Sequence, residues 1–305
     1  MKELQLLAQN NSFLEKEIYV HHLNTEIKRI LTHLKHPTKI TKQLNIKYTK
    51  LKEWPTGRKP ISLYELKQIL DLCSGEFKKS VKKEIESKEI KISCKYSSHK
   101  IRIPKQISKD LAYAIGLILG DGHVAGDSLN KKGNWIISVY FDNKEHLSLY
   151  SKIIEQEFEI ICKYRLHKEN CFQSYFGSKG LHWFFRVFFE LHNGYKAHKI
   201  EIPKLILKSR KEIIASLIQG LFDSDGTITK GNIRYSTVSR IMAEQVQQEL
   251  NKMKINTSTN VWIKNQQYKP LYTVSVISKK CKELFAKKIG FRHPIKKALL
   301  RQFIQ

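Results

Sequence analysis

The stretches LAYAIGLILGDG (111–122) and SLIQGLFDSDG (216–226) decide how the rest of this chain is interpreted. Each is preceded by the same pattern, K-I-x-I-P-K, which begins at Lys100 in the first case and at Lys199 in the second. The K-I-x-I-P-K pattern and the stretch that ends in D-G thus occur twice in the same order, which indicates an internal repeat. The period is about 100 residues, which is typical of a duplicated domain and not of an array of short repeats.

The two copies continue with the same succession of patterns. In the first copy a strand is predicted at 134–141, a helix at 144–158, a hairpin about Glu169-Asn170 and a helix at 180–192. The second copy has, in order, a strand at 232–239, a helix at 243–253, strands at 260–265 and 271–277, and a helix capped by Gly290. Each half is therefore predicted to be αββαββα, an α+β fold, with the first strands of each half the least defined.

Small residues mark the helix that ends each repeated stretch. Gly116 and Gly120 lie four residues apart on helix 111–120, for which Asp110 is the expected N-cap. Gly220 and Ser224 have the same spacing in the second copy. Glycine inside a helix costs about 1 kcal/mol relative to alanine. Two helices that share this feature are predicted to pack closely against each other through these four residues.

Each helix is followed by an aspartate and a glycine, Asp121-Gly122 and Asp225-Gly226. We expect the glycines to adopt the left-handed cap conformation. A carboxylate at a helix C-terminus opposes the helix dipole, and two such carboxylates repel if the helices pair. A cation between them would relieve both effects, and oxygen ligands favour Mg²⁺ (or Mn²⁺). One acid from each half suits metal-dependent hydrolysis of two phosphodiester bonds. The alternative is that each D-G pair only forms a turn.

Charge and cysteine content restrict the classes of partner. Lys and Arg total 55 against 28 Asp and Glu, a formal net charge of +27, which favours nucleic acid. An AT-rich gene would also raise the lysine content. No apolar run is long enough for a membrane span. The five cysteines form no C-x-x-C pair, which argues against a zinc knuckle or a disulfide framework. Without a signal peptide, we expect a cytoplasmic, organellar or nucleoid-associated protein.

AIGLILGDG (114–122) and IQGLFDSDG (218–226) resemble the two motifs of the single-chain LAGLIDADG homing endonucleases, over about residues 98–305. The resemblance implies a monomer that cuts both strands of a long DNA site, with two αββαββα halves whose sheets line the DNA groove. It implies that Asp121 and Asp225 bind the metal. Leu119 replaces the earlier acid of the motif, which Asp223 keeps.

The family often places a lysine near the cleavage site in each half. Lys196 and Lys296 are the preferred candidates here, followed by Lys199 and Lys297. The chain starts with Met and lacks a C-terminal His-Asn, so we expect a freestanding enzyme and not one within an intein.

The N-terminal part carries a different pattern. TKITKQLNIKYTKLKEWPTGRKP (38–60) resembles the helix-turn-helix of Cro and repressor proteins. Its second helix would present base-contacting residues, and its tail would contact phosphate; the candidates are Tyr48, Thr49, Lys50, Lys52 and Arg58. The predicted domains are an all-α helix-turn-helix domain at 1–75, a charged linker or extra helix at 76–98, and the two repeats at 99–195 and 196–305. The alternative is a small helical domain without a DNA role.

Polar and aromatic residues on the predicted strands are candidates for reading DNA bases. They are Asn134, Tyr140, Arg165, Gln173, Arg234, Ser236, Trp262 and Lys264. Two other functions remain open: a non-cleaving transcriptional regulator that binds double-stranded DNA, and an RNA maturase that binds intron RNA and assists splicing.

Overall fold

The structure is a computed structural model that describes residues 13–95, 99–125, 135–192, 194, 197–229, 231–263 and 269–304. The chain divides into two compact units. The larger comprises Ile107–Gln156 and Ile160–Gln305, and the smaller comprises Glu3–Gln106 and Glu157–Glu159.

The smaller unit combines helices with a sheet. A short 3-10 helix, Phe13–Glu17, precedes five α-helices: α1 (Asn24–Leu34), α2 (Pro37–Leu44), α3 (Tyr48–Glu53), α4 (Leu63–Asp71) and α5 (Gly75–Ser87). Strands β1 (Ile18–Val20), β2 (Ile61–Ser62), β3 (Ile90–Cys94) and β4 (Ile101–Ile103) form an antiparallel sheet in the order β2-β1-β3-β4. The prediction of an all-α N-terminal domain is therefore wrong. The strands are only two to five residues long, too short for alternation to reveal them.

The predicted boundary between the domains is also corrected. Of the two alternatives for residues 76–98, the structure has the extra helix and not the linker, since their described part forms most of α5 and then β3. The first K-I-x-I-P-K pattern lies in the smaller unit, because its residues 101–103 form β4 and pair with β3. The second copy of the pattern, at 199–204, forms no strand. Two similar sequences thus adopt different structures, a strand in the first copy and no strand in the second.

The larger unit confirms the predicted α+β fold class, with two αββαββα halves. The first half is α6 (Lys109–Leu119), β5 (Gly122–Ala125), β6 (Ile136–Phe141), α7 (Lys144–Phe158), β7 (Lys163–Lys168), β8 (Cys171–Gly177) and α8 (Lys179–Phe189). A short helix, α9 (Lys204–Leu207), leads to the second half. That half is α10 (Lys211–Ser224), β9 (Gly226–Thr229), β10 (Asn232–Thr237), α11 (Arg240–Lys252), β11 (Thr257–Trp262), β12 (Leu271–Val276) and α12 (Lys279–Lys288), followed by α13 (Pro294–Ile304).

The sheets of the two halves have the same topology, β5-β6-β8-β7 and β9-β10-β12-β11. One face of each sheet is apolar and buried, as Val139 on β6 and Tyr235 on β10 show. Because side chains alternate along a strand, the intervening residues lie on the opposite face. That open face carries mainly polar side chains in both halves.

Helices α6 and α10 pack backbone against backbone in the middle of the larger unit. A Cβ atom added to Gly116 would lie 2.9 Å from the Cα of Gly220, and one added to Gly220 would lie 3.0 Å from the Cα of Gly116. A Cβ on Gly120 would collide with Ser224. All four residues predicted at the helix interface therefore lie there. The N-cap of α6 is Ser108, whose hydroxyl accepts from the Leu111 N–H at 2.9 Å, and not Asp110 as expected.

The glycines that follow the two aspartates do not adopt the left-handed conformation that was expected. Neither Gly122 nor Gly226 has a positive φ, and each begins a strand. A Cβ on Gly122 would lie 2.6 Å from the Cα of Ile118, and one on Gly226 would lie 2.7 Å from the Cα of Phe222. Glycine is needed because each strand turns back closely over its own helix. Gly290, with φ +63°, ends α12 in the left-handed conformation as predicted. Across the described residues, no helix has the length and apolar character of a membrane span.

Candidate active site at the ends of the motif helices

The two motif aspartates come together because their helices do. The N–H of Asp225 donates to the carbonyl of Leu221 at 3.0 Å and closes the last turn of α10. A Cβ on Gly120 would lie 3.0 Å from Oδ2 of Asp225. The Asp225 carboxylate therefore lies against Gly120 at the end of α6. The next residue in the chain is the exposed Asp121. A cavity of about 240 Å³ opens here, with Asp121, Asp142 and Lys296 among its lining residues.

Lys296, on α13, lies at the C-terminus of α10. Its ammonium donates to the main-chain carbonyls of Phe222 at 3.1 Å, Asp223 at 2.7 Å and Ser224 at 3.1 Å. These carbonyls have no partner within the helix, so the lysine both satisfies them and offsets the negative end of the helix dipole. Burial lowers the pKa of Lys296, while the nearby carboxylates, including those of Asp121 and Asp225, act in the opposite direction. A protein cation thus lies among the motif acids.

Asp223, the earlier acid of the second motif, is buried and structural. One of its oxygens, Oδ2, accepts from the Tyr113 hydroxyl at 2.7 Å and from the N–H groups of Arg292 at 2.9 Å and His293 at 3.1 Å. Burial raises the pKa of Asp223, although these hydrogen bonds oppose the rise. Asp223 therefore holds the segment that leads into α13 and brings Lys296 to the site. In the first half the corresponding Leu119 is buried.

Two histidines extend this polar network between the halves. His146 Nε2 lies 2.6 Å from the Tyr113 hydroxyl, and His293 Nε2 lies 2.8 Å from Oδ1 of Asp142. Burial lowers the pKa of His146 to about 3, so the ring is neutral. Because the single proton of Tyr113 is donated to Asp223, His146 donates from Nε2 to the Tyr113 oxygen. Sequence reasoning missed this network, since its members are far apart in the chain and form no local pattern.

Asp142 lies at the boundary between this network and the cavity. Burial works to raise its pKa, but the hydrogen bond and charge of His293 and the charge of Lys296 hold the pKa below its ordinary value. Asp142 therefore remains ionised and lines the same cavity as Asp121 and Lys296. It was not among the residues predicted from the sequence.

Six of the eight predicted strand candidates are described, and all six lie on the open faces, where Gln173 is buried beneath its neighbours. In the first half Arg165 donates to Gln173 at 2.7 Å, and Gln173 donates to the Tyr140 hydroxyl at 3.1 Å. In the second half the pairings place Arg234, Ser236 and Trp262 on one face of the sheet; Trp262 is 59% exposed. Asn134 and Lys264 lie outside the described residues, as does the lysine candidate Lys196.

The N-terminal candidates lie on or just after α3. The pattern at 38–60 covers nearly all of α2 and the whole of α3, and Asn45, with φ 52°, begins the turn between them. Tyr48, Thr49, Lys52 and Arg58 are exposed, whereas Lys50 is half-buried and pairs with Glu65. Their role in DNA binding stays a prediction.

The donor set fits a hard divalent cation. Within the described ranges, no cluster of three or more His, Cys, Asp or Glu side chains could hold a metal by itself. Mg²⁺ is commonly bound by one or two carboxylates and completes its shell with water and substrate phosphate oxygens. Asp121 and Asp225 offer two carboxylates at the ends of two packed helices, so the residues present fit such an ion.

Comparison with known proteins agrees with this geometry. Residues 212–290 match the family model of the LAGLIDADG-like domain. A structure of mesophilic variants of the homing endonuclease I-DmoI has 17% identity and a TM-score of 0.50, and the match covers 65% of this chain and 100% of that one. The resemblance to the LAGLIDADG family is therefore confirmed, and the larger unit has the fold of a LAGLIDADG homing endonuclease.

Curated relatives are archaeal proteins with unrelated names. A glutamine–fructose-6-phosphate aminotransferase of Methanocaldococcus jannaschii is 26% identical over 195 residues, which are 63% of this chain and 17% of that protein. A replication factor C small subunit of the same organism is 28% identical over 199 residues, 65% of this chain and 10% of that protein. The chain spans less than a fifth of either relative. Because each match covers so small a part of a relative, the names of the relatives do not describe what this chain does.

Proposed function

We propose that this protein is a site-specific endonuclease that cuts both strands of double-stranded DNA with the help of a divalent cation, Mg²⁺ or Mn²⁺. The observation that carries the proposal is the position of the Asp225 carboxylate against Gly120, next to Asp121, at the end of two helices in backbone contact. Carboxylates at the C-termini of two packed helices are unfavourable for a fold by themselves. Such carboxylates can, however, bind cations and hold them against phosphate oxygens.

The residues of the site have separable roles in this reaction. Bound at Asp121 and Asp225, the cations would polarise the scissile phosphates and lower the pKa of water. Asp223 fixes the segment before α13, and α13 presents Lys296. The ammonium of Lys296 lies among the carboxylates and can stabilise the negative charge that develops on a phosphate in the transition state. The open faces of the two sheets supply hydrogen-bonding and aromatic groups for contacts with base edges and the backbone.

A non-cleaving DNA-binding protein is the second candidate, and one observation favours it. Lys296 already stabilises the end of α10 and attracts the acids of the motif. The protein itself thus supplies a cation that would make a pair of carboxylates tolerable without metal. Cleavage assays separate the two functions.

The decisive experiment selects bound duplexes from a random library and measures their cleavage in Mg²⁺ and in Ca²⁺. Asp121→Asn and Asp225→Asn should each reduce double-strand cleavage on the order of 100-fold or more, while binding is largely retained because it depends on phosphate contacts. Glu244→Gln, on the exposed surface of α11, removes the same charge elsewhere and should leave cleavage unchanged. Wild-type protein that binds its site and cuts under no metal condition would establish the non-cleaving alternative.

A further inference from the structure

A second cavity lies at the opposite end of the motif helices. Its volume is about 580 Å³, and its lining includes Lys109 and Lys211, the first residues of α6 and α10. The two helices have 11 and 14 residues. At 1.5 Å per residue, Lys109 and Lys211 lie roughly 16–21 Å along the helices from the aspartates at their other ends. The cavity extends along the helices as far as Gln219 and Arg292, and it shares none of its described lining residues with the cavity at the aspartates.

The cavity is strongly basic. Among its described lining residues are six lysines: Lys109, Lys211, Lys252, Lys254, Lys287 and Lys288. Arg292 adds a further cation, and Glu212 is the acid among the described lining residues. Several cations around one concave space repel one another and concentrate a positive potential there, which an anion would relieve.

Ordinary structural roles explain only part of this charge. Lys252 pairs with Glu249 at 2.6 Å, and Lys288 donates to the Met253 carbonyl at 2.7 Å. Lysines at the ends of α11 and α12 are also favoured by the helix dipole. Lys109 and Lys211 have no such reason, because each begins a helix, where a positive charge is unfavourable. Neither makes an ion pair with a residue in the described part of the chain.

Hydrogen bonds and burial fix the residues of the inner wall of the cavity. Arg292 donates to Asp110 at 2.6 Å and to Gln219 at 2.8 Å. Met253 and Ile289 are buried beneath the lysines. An apolar floor surrounded by long cationic side chains is suited to a ligand with several negative groups, since lysines on flexible stems can adjust to its oxygens.

We infer that this cavity is a second anion site that binds phosphate groups, and that it acts apart from the phosphates at the motif acids. The ligand has several phosphates in a row, either a free polyphosphate or the backbone of a nucleic-acid strand. Its volume lies within the range of about 300–1,000 Å³ of small-ligand sites. The inference does not depend on cleavage, because it concerns a different surface with a different chemistry.

The test compares two charge-reversal variants of the full chain. The cavity variant carries Lys211→Glu, Lys254→Glu and Lys287→Glu, and the control carries Lys152→Glu, Lys279→Glu and Lys280→Glu, three exposed lysines elsewhere on the larger unit. Binding of sodium tripolyphosphate is measured by calorimetry, and binding of a short labelled single-stranded oligonucleotide by fluorescence anisotropy. Circular dichroism and melting temperature establish that each variant is folded. If the cavity variant is not folded, a version with Lys→Gln at the same three positions takes its place.

We expect the cavity variant to lose about tenfold or more in affinity and the control to lose far less, since only the first removes contacts from the site. Loss with tripolyphosphate identifies a free polyphosphate as a sufficient ligand. A loss confined to the oligonucleotide identifies the nucleic-acid backbone. Equal losses in the two variants, or undiminished binding of both probes by the cavity variant, would overturn the inference, because the charge would then act only as a diffuse surface.

Discussion

Gly220→Ala should destabilise the larger unit and move its two aspartates apart. The added Cβ would lie 3.0 Å from the Cα of Gly116 and would collide with the main-chain carbonyl of Tyr113. Both neighbours are backbone atoms of α6, so no side-chain rotation can relieve the contact. Carbon atoms prefer a separation of about 3.5–4.0 Å, and the helices must therefore separate by about 1 Å.

The expected magnitude follows from two opposing effects. Overpacking typically costs about 1–3 kcal/mol, and a collision with backbone belongs at the upper end. Alanine is favoured over glycine inside a helix by about 1 kcal/mol. The net loss is about 2 kcal/mol, which for a unit of this size corresponds to a fall in melting temperature of about 4–8 °C. Cleavage should fall more than binding, because the displaced carboxylates lie at the end of the same helices.

Thermal and urea denaturation, followed by circular dichroism, measure the effect. Gly177→Ala is the matched control, since a Cβ there would meet the Trp135 carbonyl at an ordinary 3.9 Å. It should change stability by less than about 0.5 kcal/mol. If Gly220→Ala were as stable as this control, or more stable, the close backbone contact between α6 and α10 would be refuted.

Three further results are expected. Log affinity for DNA should fall steeply and linearly with log salt; a flat response would show that the +27 charge is not a binding surface. His146 has a folded pKa of about 3 against an ordinary 6.5, so its contribution to stability is complete above about pH 6.5 and is lost toward pH 3, by about 1.4 kcal/mol per pH unit. His146→Gln should flatten this dependence in melting curves, and an unchanged slope would contradict it. Deleting residues 1–106, the boundary of the compact units, should weaken binding but leave the larger unit folded and its cleavage position unchanged, as footprinting and circular dichroism can show.

Local patterns predicted the elements that are long and regular. Helix α7 was predicted at its observed bounds, and the hairpin at Asn170 was predicted because a polar pair separates two alternating runs. The helix interface followed from glycine spacing alone. In each case the physical cause lies within a few neighbouring residues, and the sequence displays it directly.

The remaining features depend on residues that are distant in the chain. Strand β1 pairs with β2 and β3, whose residues are more than 40 and 70 positions away, and nothing in Ile18–Val20 indicates these partners. Lys296 was predicted near the acids only through family resemblance. Its hydrogen bonds to the end of α10 depend on how α13 returns to the motif helices, which local propensity does not determine.

The hydrogen bond between Tyr113 and Asp223 favours association of the first half with the second half over association of two second halves. When the two motifs are aligned, Leu217 occupies the place of Tyr113. Two second halves brought together would therefore bury Asp223 opposite a leucine. Asp223 would then keep its hydrogen bonds from the N–H groups of Arg292 and His293 and lose the one from the hydroxyl. A hydrogen bond to a charged group contributes about 1.5–3 kcal/mol. If the halves were produced as separate polypeptides, this single hydroxyl would bias them toward mixed pairs over matched ones. The interface between the halves is therefore complementary for unlike halves and not for two copies of the second half.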